Sequence, residues 1–213
     1  ARDAQADGIE FDVSSTKDGK LVIYHGPKIY PHTTCKQETR EICQMTREEL
    51  QKCKLKNGED ILLLEEFLPQ VKNRFSFFFL DFKTSTNPQC KQNNQLLLDK
   101  AIALVKKYKM DGNTIFSSYD EKLADVLGKR GDVSSALDTF SLTALDQLSG
   151  SYFSYFMTPA ENFSKKLVEN LNHQSAEGVA YVVNSVEYAK KLKEMGVRFL
   201  MTDEVAKLKE GLK

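Results

Sequence analysis

The chain of 213 residues contains no tryptophan, only four cysteines and three histidines, and carries no net charge. Thirty Lys+Arg balance thirty Asp+Glu, which removes the bulk attraction that holds basic proteins on nucleic acid or anionic membranes. Long apolar runs are also missing. The longest, 77–80 and 61–64, fall far below the roughly 20 residues needed to cross a bilayer. No signal-peptide pattern opens the chain, so a soluble protein is expected. Four cysteines are too few for a disulfide scaffold, and none has the Cys-x-x-Cys spacing of a zinc site. Cys35, Cys43 and Cys53 share one polar stretch and Cys90 follows a predicted strand. Two loop disulfides in a secreted protein and four reduced surface thiols both fit that distribution. Neither GxGxxG nor GxxxxGK[ST] occurs, which weighs against a nucleotide-binding sheet.

What the chain does have is apolar material, 41% of residues with thirteen Phe and eight Tyr, enough for a folded core. Short apolar runs at 8–14, 21–25, 76–83, 114–117, 133–137, 179–183 and 198–202 read as seven strands. Between them, residues 46–54, 64–73, 92–109, 119–129, 161–175, 186–195 and 203–212 repeat their apolar positions at helical spacing. Alternation of this kind gives an α/β fold with a parallel sheet. Without a glycine-rich phosphate turn, the TIM (β/α)8 barrel is the better choice over a doubly wound sheet. Asp18-Gly19 and Asn57-Gly58 mark tight turns, and Gly112, Gly178 and Gly196 are expected to end helices in the left-handed conformation. No linker or repeat divides residues 1–213, so one domain is expected.

The chemistry concentrates at strand ends. In the strand around Glu10 and Asp12 the two carboxylates are two residues apart and share one face, while Ile9, Phe11 and Val13 take the other. Inward acids are costly unless a cation compensates them. His25 closes the next strand, and Asp81 and Lys83 repeat the two-residue spacing at the end of Phe77-Phe78-Phe79-Leu80. Strand C-termini are where α/β barrels place reacting groups. Oxygen ligands favour a hard divalent ion, and such an ion beside a lysine and an imidazole suits an anionic phosphodiester.

With these residues in place, the sequence resembles the glycerophosphodiester phosphodiesterases, within a wider group of barrels that includes the sphingomyelinase D-like phospholipases. The matching stretches are ADGIEFDVSSTKDGKLVIYHG at 6–26, MTREELQKCKLKNGEDILLLEEFL at 45–68, FFLDFK at 78–83, TIFSSYDEKLADVL at 114–127, GVAYVVN at 178–184 and GVRFLMTDEV at 196–205. The resemblance implies Glu10, Asp12 and Asp81 as ligands of one divalent cation, Mg²⁺ or Ca²⁺, and His25 as one of two acid/base histidines. It further implies Lys83 on the phosphate, Tyr181 and Asn184 beside the substrate, and hydrolysis of a diester such as glycerophosphocholine to an alcohol and glycerol 3-phosphate. The expected partner is a small-molecule phosphodiester; nucleic acid and a transmembrane segment are not expected, and peripheral membrane contact stays open.

Three positions depart from the family pattern: Asp81 where Glu is usual, Gly26 after His25 where Asp is common, and Tyr181 where Trp is frequent. His32 and His173 match no family position. Seven strands cannot close a barrel, so the first strand, with its histidine, is expected to lie upstream of Ala1. Two alternatives remain. One is a phospholipase acting on lysolipids, with Tyr30 or Phe153 and Tyr155 exposed at the mouth. The other is an inactive phosphodiester-binding homologue.

Overall fold

A computed structural model describes residues 5–90, 93–142 and 151–213. In chain order it forms β1 (Gly8–Ser15), β2 (Leu21–Ile23), α1 (Arg47–Leu50), α2 (Leu64–Val71), β3 (Phe77–Phe82) and α3 (Asn94–Lys107). There follow β4 (Thr114–Ser117), α4 (Glu121–Gly128), β5 (Ser134–Asp138), β6 (Phe153–Pro159), α5 (Lys165–His173), β7 (Glu177–Tyr181), α6 (Val186–Met195), β8 (Phe199–Leu200) and α7 (Val205–Gly211). One sheet runs in the order β2-β1-β3-β4-β5-β6-β7-β8. All of its pairs are parallel except the β1–β2 hairpin.

The sheet is strongly curled. Phe199 of β8 lies 5.4 Å from the Phe77 ring and 6.1 Å from the Phe79 ring of β3, although four strands separate β8 from β3 in the sheet order. Such contacts across the interior are those of an α/β barrel. Among the described residues no strand bridges β8 and β1.

A period of two sorts each strand's side chains. Phe11, Val13, Phe78, Leu80, Phe82, Phe116 and Leu137 point outward and are buried under the helices. Phe78 and Phe82, almost without exposed surface, each contribute about 1.5–3 kcal/mol by leaving water. Phe79, Ile115, Ala136, Met157 and Val179 point inward and fill the interior. The helices start on side-chain caps: Asn93, Asp120, Ser164 and Ser185 accept from backbone N–H groups of the first turns of α3, α4, α5 and α6.

The expected strand count needs correction in two places that cancel. β2 is not a barrel strand but the returning arm of a hairpin closed at Asp18-Gly19, where Gly19 takes φ +69°. The aromatic-rich segment at 153–159 is a full strand, β6. A register shift at Ser135/Ala136 against β5 disturbs its alternation. Phe153 is buried and Tyr155 half-buried inside the structure, so neither is the exposed mouth aromatic expected of them. Gly196 ends α6 at φ +99° as anticipated, but Lys109 and Ser175 occupy the left-handed positions expected of Gly112 and Gly178. Gly178 serves a close approach instead, since a Cβ there would stand 2.6 Å from the Phe163 ring.

Between β2 and α2 the chain builds a small satellite with its own core of Tyr24, Ile29, Ile42, Met45, Leu50 and Ile61. The helix expected at 46–54 shrinks there to the single turn of α1, because the chain turns to place Cys53 against Cys35. All four cysteines are paired, as Cys35–Cys53 and Cys43–Cys90. No helix of the described residues is long and apolar enough to cross a membrane.

Candidate active site

β1 and β3 lie side by side in a register that pairs Glu10 with Phe79 and Asp12 with Asp81. The Lys83 backbone N–H then donates to the Val13 carbonyl at 2.8 Å, which keeps Lys83 on the sheet and on the same face as Asp81. Sequence alternation and register together bring one oxygen each of Glu10, Asp12 and Asp81 within 4.8 Å of one another. The Lys83 ammonium bridges two of them, at 2.9 Å from Asp12 and in direct contact with Asp81.

One cation does not balance three carboxylates, and the electrostatics record the deficit. Burial, then the charges of Asp12 and Asp81, push Glu10 up to about 8. Glu10 keeps solvent contact at the open side of the sheet, so crowding by protein and by like charge, rather than full enclosure, is what raises it. Burial also raises Asp81, against the pull of Lys83. Burial works against the Lys83 ammonium, but Asp81 and Asp12 outweigh it and hold its pKa above the ordinary range. Asp81 is 4% exposed, and its Oδ1 makes no hydrogen bond of normal geometry. A buried carboxylate oxygen without a donor is expensive. The donor set fits a hard divalent cation: three carboxylates of mixed exposure, with one oxygen of each within 4.8 Å of the others. The other acid–thiol cluster of the described residues, Glu41 with Cys43 and Cys90, has both sulfurs tied up in a disulfide.

Next to the acids stands a second group that the sequence reading missed. Asp138, the last residue of β5, is 7% exposed and accepts from the Tyr181 hydroxyl at 2.9 Å. The Tyr181 and Tyr119 hydroxyls share a hydrogen bond. Burial, and then the charge of Asp81, push Asp138 up to about 7. The Lys83 ammonium lies 5.5 Å from the centre of the Tyr119 ring, within cation–π range. A signal for Asp138 was available, since Ala136-Leu137-Asp138 repeats the apolar-then-acid ending of Leu80-Asp81. Tyr119, on the loop after β4, carries no such mark.

The remaining expected residues are placed as follows. Tyr181 ends β7 and faces the centre through Asp138. The Asn184 amide is engaged with the loop after β8. It accepts from Thr202 Oγ1 and the Asp203 N–H, both at 3.0 Å, and donates to Asp203 at 3.1 Å. These bonds tie the loop after β7 to the loop after β8. His25 follows the antiparallel β2 and not a barrel strand, because the hairpin folds it back beside β1. The Tyr24 N–H donates to the Asp12 carbonyl at 3.1 Å, which fixes the start of the His25 loop at the level of the acids. His25 itself is exposed.

Against known proteins, the model of the glycerophosphoryl diester phosphodiesterase family matches residues 1–151. No curated protein matches the sequence. Among solved structures, a phosphodiesterase from Oleispira antarctica in complex with the product sn-glycerol-3-phosphate superposes with a TM-score of 0.84 at 16% identity, over 100% of this chain and 87% of that one. A glycerophosphodiester phosphodiesterase from Parabacteroides distasonis gives 0.80 at 21% identity, covering 99% of this chain and 85% of the other. One from Thermotoga maritima gives 0.76 at 22%, covering 99% and 87%.

Proposed function

The chain belongs to the glycerophosphoryl diester phosphodiesterase family, and from that premise we propose that it hydrolyses glycerophosphodiesters to an alcohol and glycerol 3-phosphate at the Glu10–Asp12–Asp81–Lys83 centre. The observation that carries the reading is the convergence of three carboxylate oxygens within 4.8 Å beside a lysine held charged.

Glu10, Asp12 and Asp81 would hold one divalent cation, Mg²⁺ or Ca²⁺, whose charge when bound neutralises non-bridging phosphate oxygens. Lys83, fixed between Asp12 and Asp81, directs its ammonium at the same phosphate and offsets the negative charge that grows in the transition state. His25, on the loop anchored to the Asp12 carbonyl, is exposed to solvent and free to exchange a proton with the reacting oxygen. Tyr181 and Tyr119, tied to Asp138, border the phosphate on the side away from β1. Asn184 acts by holding the loops after β7 and β8 together.

The two disulfides favour an oxidising compartment, where such bonds persist.

Incubation with glycerophosphocholine and Mg²⁺ or Ca²⁺, with glycerol 3-phosphate measured enzymatically, tests the assignment. Glycerol 3-phosphate released in the presence of the cation and suppressed by chelator is the expected result. A rate unchanged in excess chelator would refute the metal role, and no release with either cation would refute the reaction.

A further inference from the structure

Phe79, Ile115, Ala136, Met157 and Val179 form one inward apolar layer. Two residues further along four of these strands, the period of two puts Asp81, Ser117, Asp138 and Tyr181 on the same inward face. Three of these four already belong to the site, and Ser117 is the fourth. It is the last residue of β4, has no exposed surface, and pairs with Asp81 in the β3–β4 register.

Among the described residues, three buried side-chain atoms lack a hydrogen bond of normal geometry: Arg47 Nε, Asp81 Oδ1 and Ser117 Oγ. Arg47 lies on α1 and uses its terminal nitrogens on the Ile61 carbonyl and on Glu66. The other two are an acceptor and a donor on neighbouring strands at one register position. Each alone is costly to bury, and each is what the other lacks. Burial raises Asp81 and Lys83 opposes that; the Ser117 hydroxyl pulls in the same direction as Lys83, as a donor close to a carboxylate does. The next hydroxyl along is accounted for, since Ser118 Oγ donates to the Phe82 carbonyl at 2.7 Å and holds the end of β4 to β3. Asp138, on the strand at the other side of β4, already has its donor in the Tyr181 hydroxyl at 2.9 Å.

We propose that Ser117 is a positioning residue for the divalent cation: its hydroxyl donates to Asp81 Oδ1 while the Lys83 ammonium holds Oδ2, so the carboxylate is fixed from both sides before the ion arrives. The proposal rests on the cation site of the phosphodiesterase reading above and adds to it a residue that acts through Asp81. A carboxylate offers about four lone-pair sites over its two oxygens, so one hydrogen bond on each oxygen leaves acceptor capacity for a metal. Hydrogen-bond partners of this kind set the orientation of a ligating carboxylate, and losing one costs about 10- to 100-fold in metal affinity.

The test is titration calorimetry with Mg²⁺ and with Ca²⁺ on a double-mutant cycle of the wild type, Ser117→Ala, Asp81→Asn and the two substitutions together. Ser117→Cys joins the series as a variant of similar shape that donates only weakly, and circular dichroism checks that each protein folds. Ser117→Ala is expected to bind the cation about 10- to 100-fold more weakly than the wild type, with Ser117→Cys between them. In the Asp81→Asn background the same substitution is expected to cost far less, because the group it acts through has changed. Equal affinity in the wild type, Ser117→Cys and Ser117→Ala would overturn the inference and leave the cation site standing. An equal loss in both backgrounds would also overturn it, by assigning the effect to packing rather than to Asp81. A wild type that binds neither ion would take down this inference together with the cation reading.

Discussion

Asp138→Asn separates the electrostatic account from a purely structural one. The Asp138 carboxyl is 7% exposed and held at about 7, by burial and then by Asp81, from an ordinary value of 3.8. Between these two values the folded protein keeps a proton that the unfolded chain releases. The group's contribution to stability is therefore fully present below about pH 4, and it is lost as pH rises through 7. A shift of about three units at 1.36 kcal/mol each sets an upper bound on the order of 4 kcal/mol. Asparagine keeps the shape and an oxygen for the Tyr181 hydroxyl but has no proton to lose. Urea unfolding of the metal-free protein at several pH values between 4 and 8.5 gives both curves. The wild type should lose stability across that window, with Glu10 adding to the slope. The variant should lose less, and at pH 8 it should exceed the wild type by up to that bound. Parallel curves, or a variant less stable than wild type at pH 8, would show that Asp138 is not a strained carboxyl and refute the reasoning.

Three further outcomes are expected. Lys83→Ala should lower kcat by about 10²–10³, the range seen when a group stabilising transition-state charge is removed, and change KM less; steady-state kinetics showing only a KM effect would contradict the role given to Lys83. Reduction should destabilise the fold at both bridges. Loop-closure entropy for separations of 18 and 47 residues gives about 3 kcal/mol for Cys35–Cys53 and about 4 kcal/mol for Cys43–Cys90, so serine variants compared by denaturation should rank in that order. Gly178→Ala should cost about 1–3 kcal/mol by overpacking, because its Cβ would stand 2.6 Å from Phe163; an unchanged melting temperature would show that the ring yields freely.

Much of this arrangement is legible from residue order alone. Alternation in Ile9–Val13, and the two-residue spacing of Asp81 and Lys83, send the acids and the lysine to one face while Ile9, Phe11, Val13, Phe78, Leu80 and Phe82 take the other; Phe77 and Phe79 share the inward face below Asp81. β6 was harder to read, since the register shift beside Ser135 and a mixed run of Ser154, Tyr155 and Phe156 blur its period. His25 looked like the end of a barrel strand because its strand has the same apolar content as one. Only pairing reveals that the strand returns antiparallel, and pairing depends on the turn at Gly19 and on partners far along the chain. Asp138 escaped notice by one residue at a predicted strand end. Tyr119 sits on a loop, where nothing local announces that it meets Tyr181.

The claim on which the rest depends is that Glu10, Asp12 and Asp81 grip a single hard cation. Titration calorimetry with Mg²⁺ and with Ca²⁺ on the wild type, Glu10→Gln and Asp81→Asn measures it directly. One saturable site in the wild type, weakened at least about tenfold in each variant as a charged ligand is lost, is the predicted result. Equal binding in all three proteins, or no binding of either ion to the wild type, would contradict it.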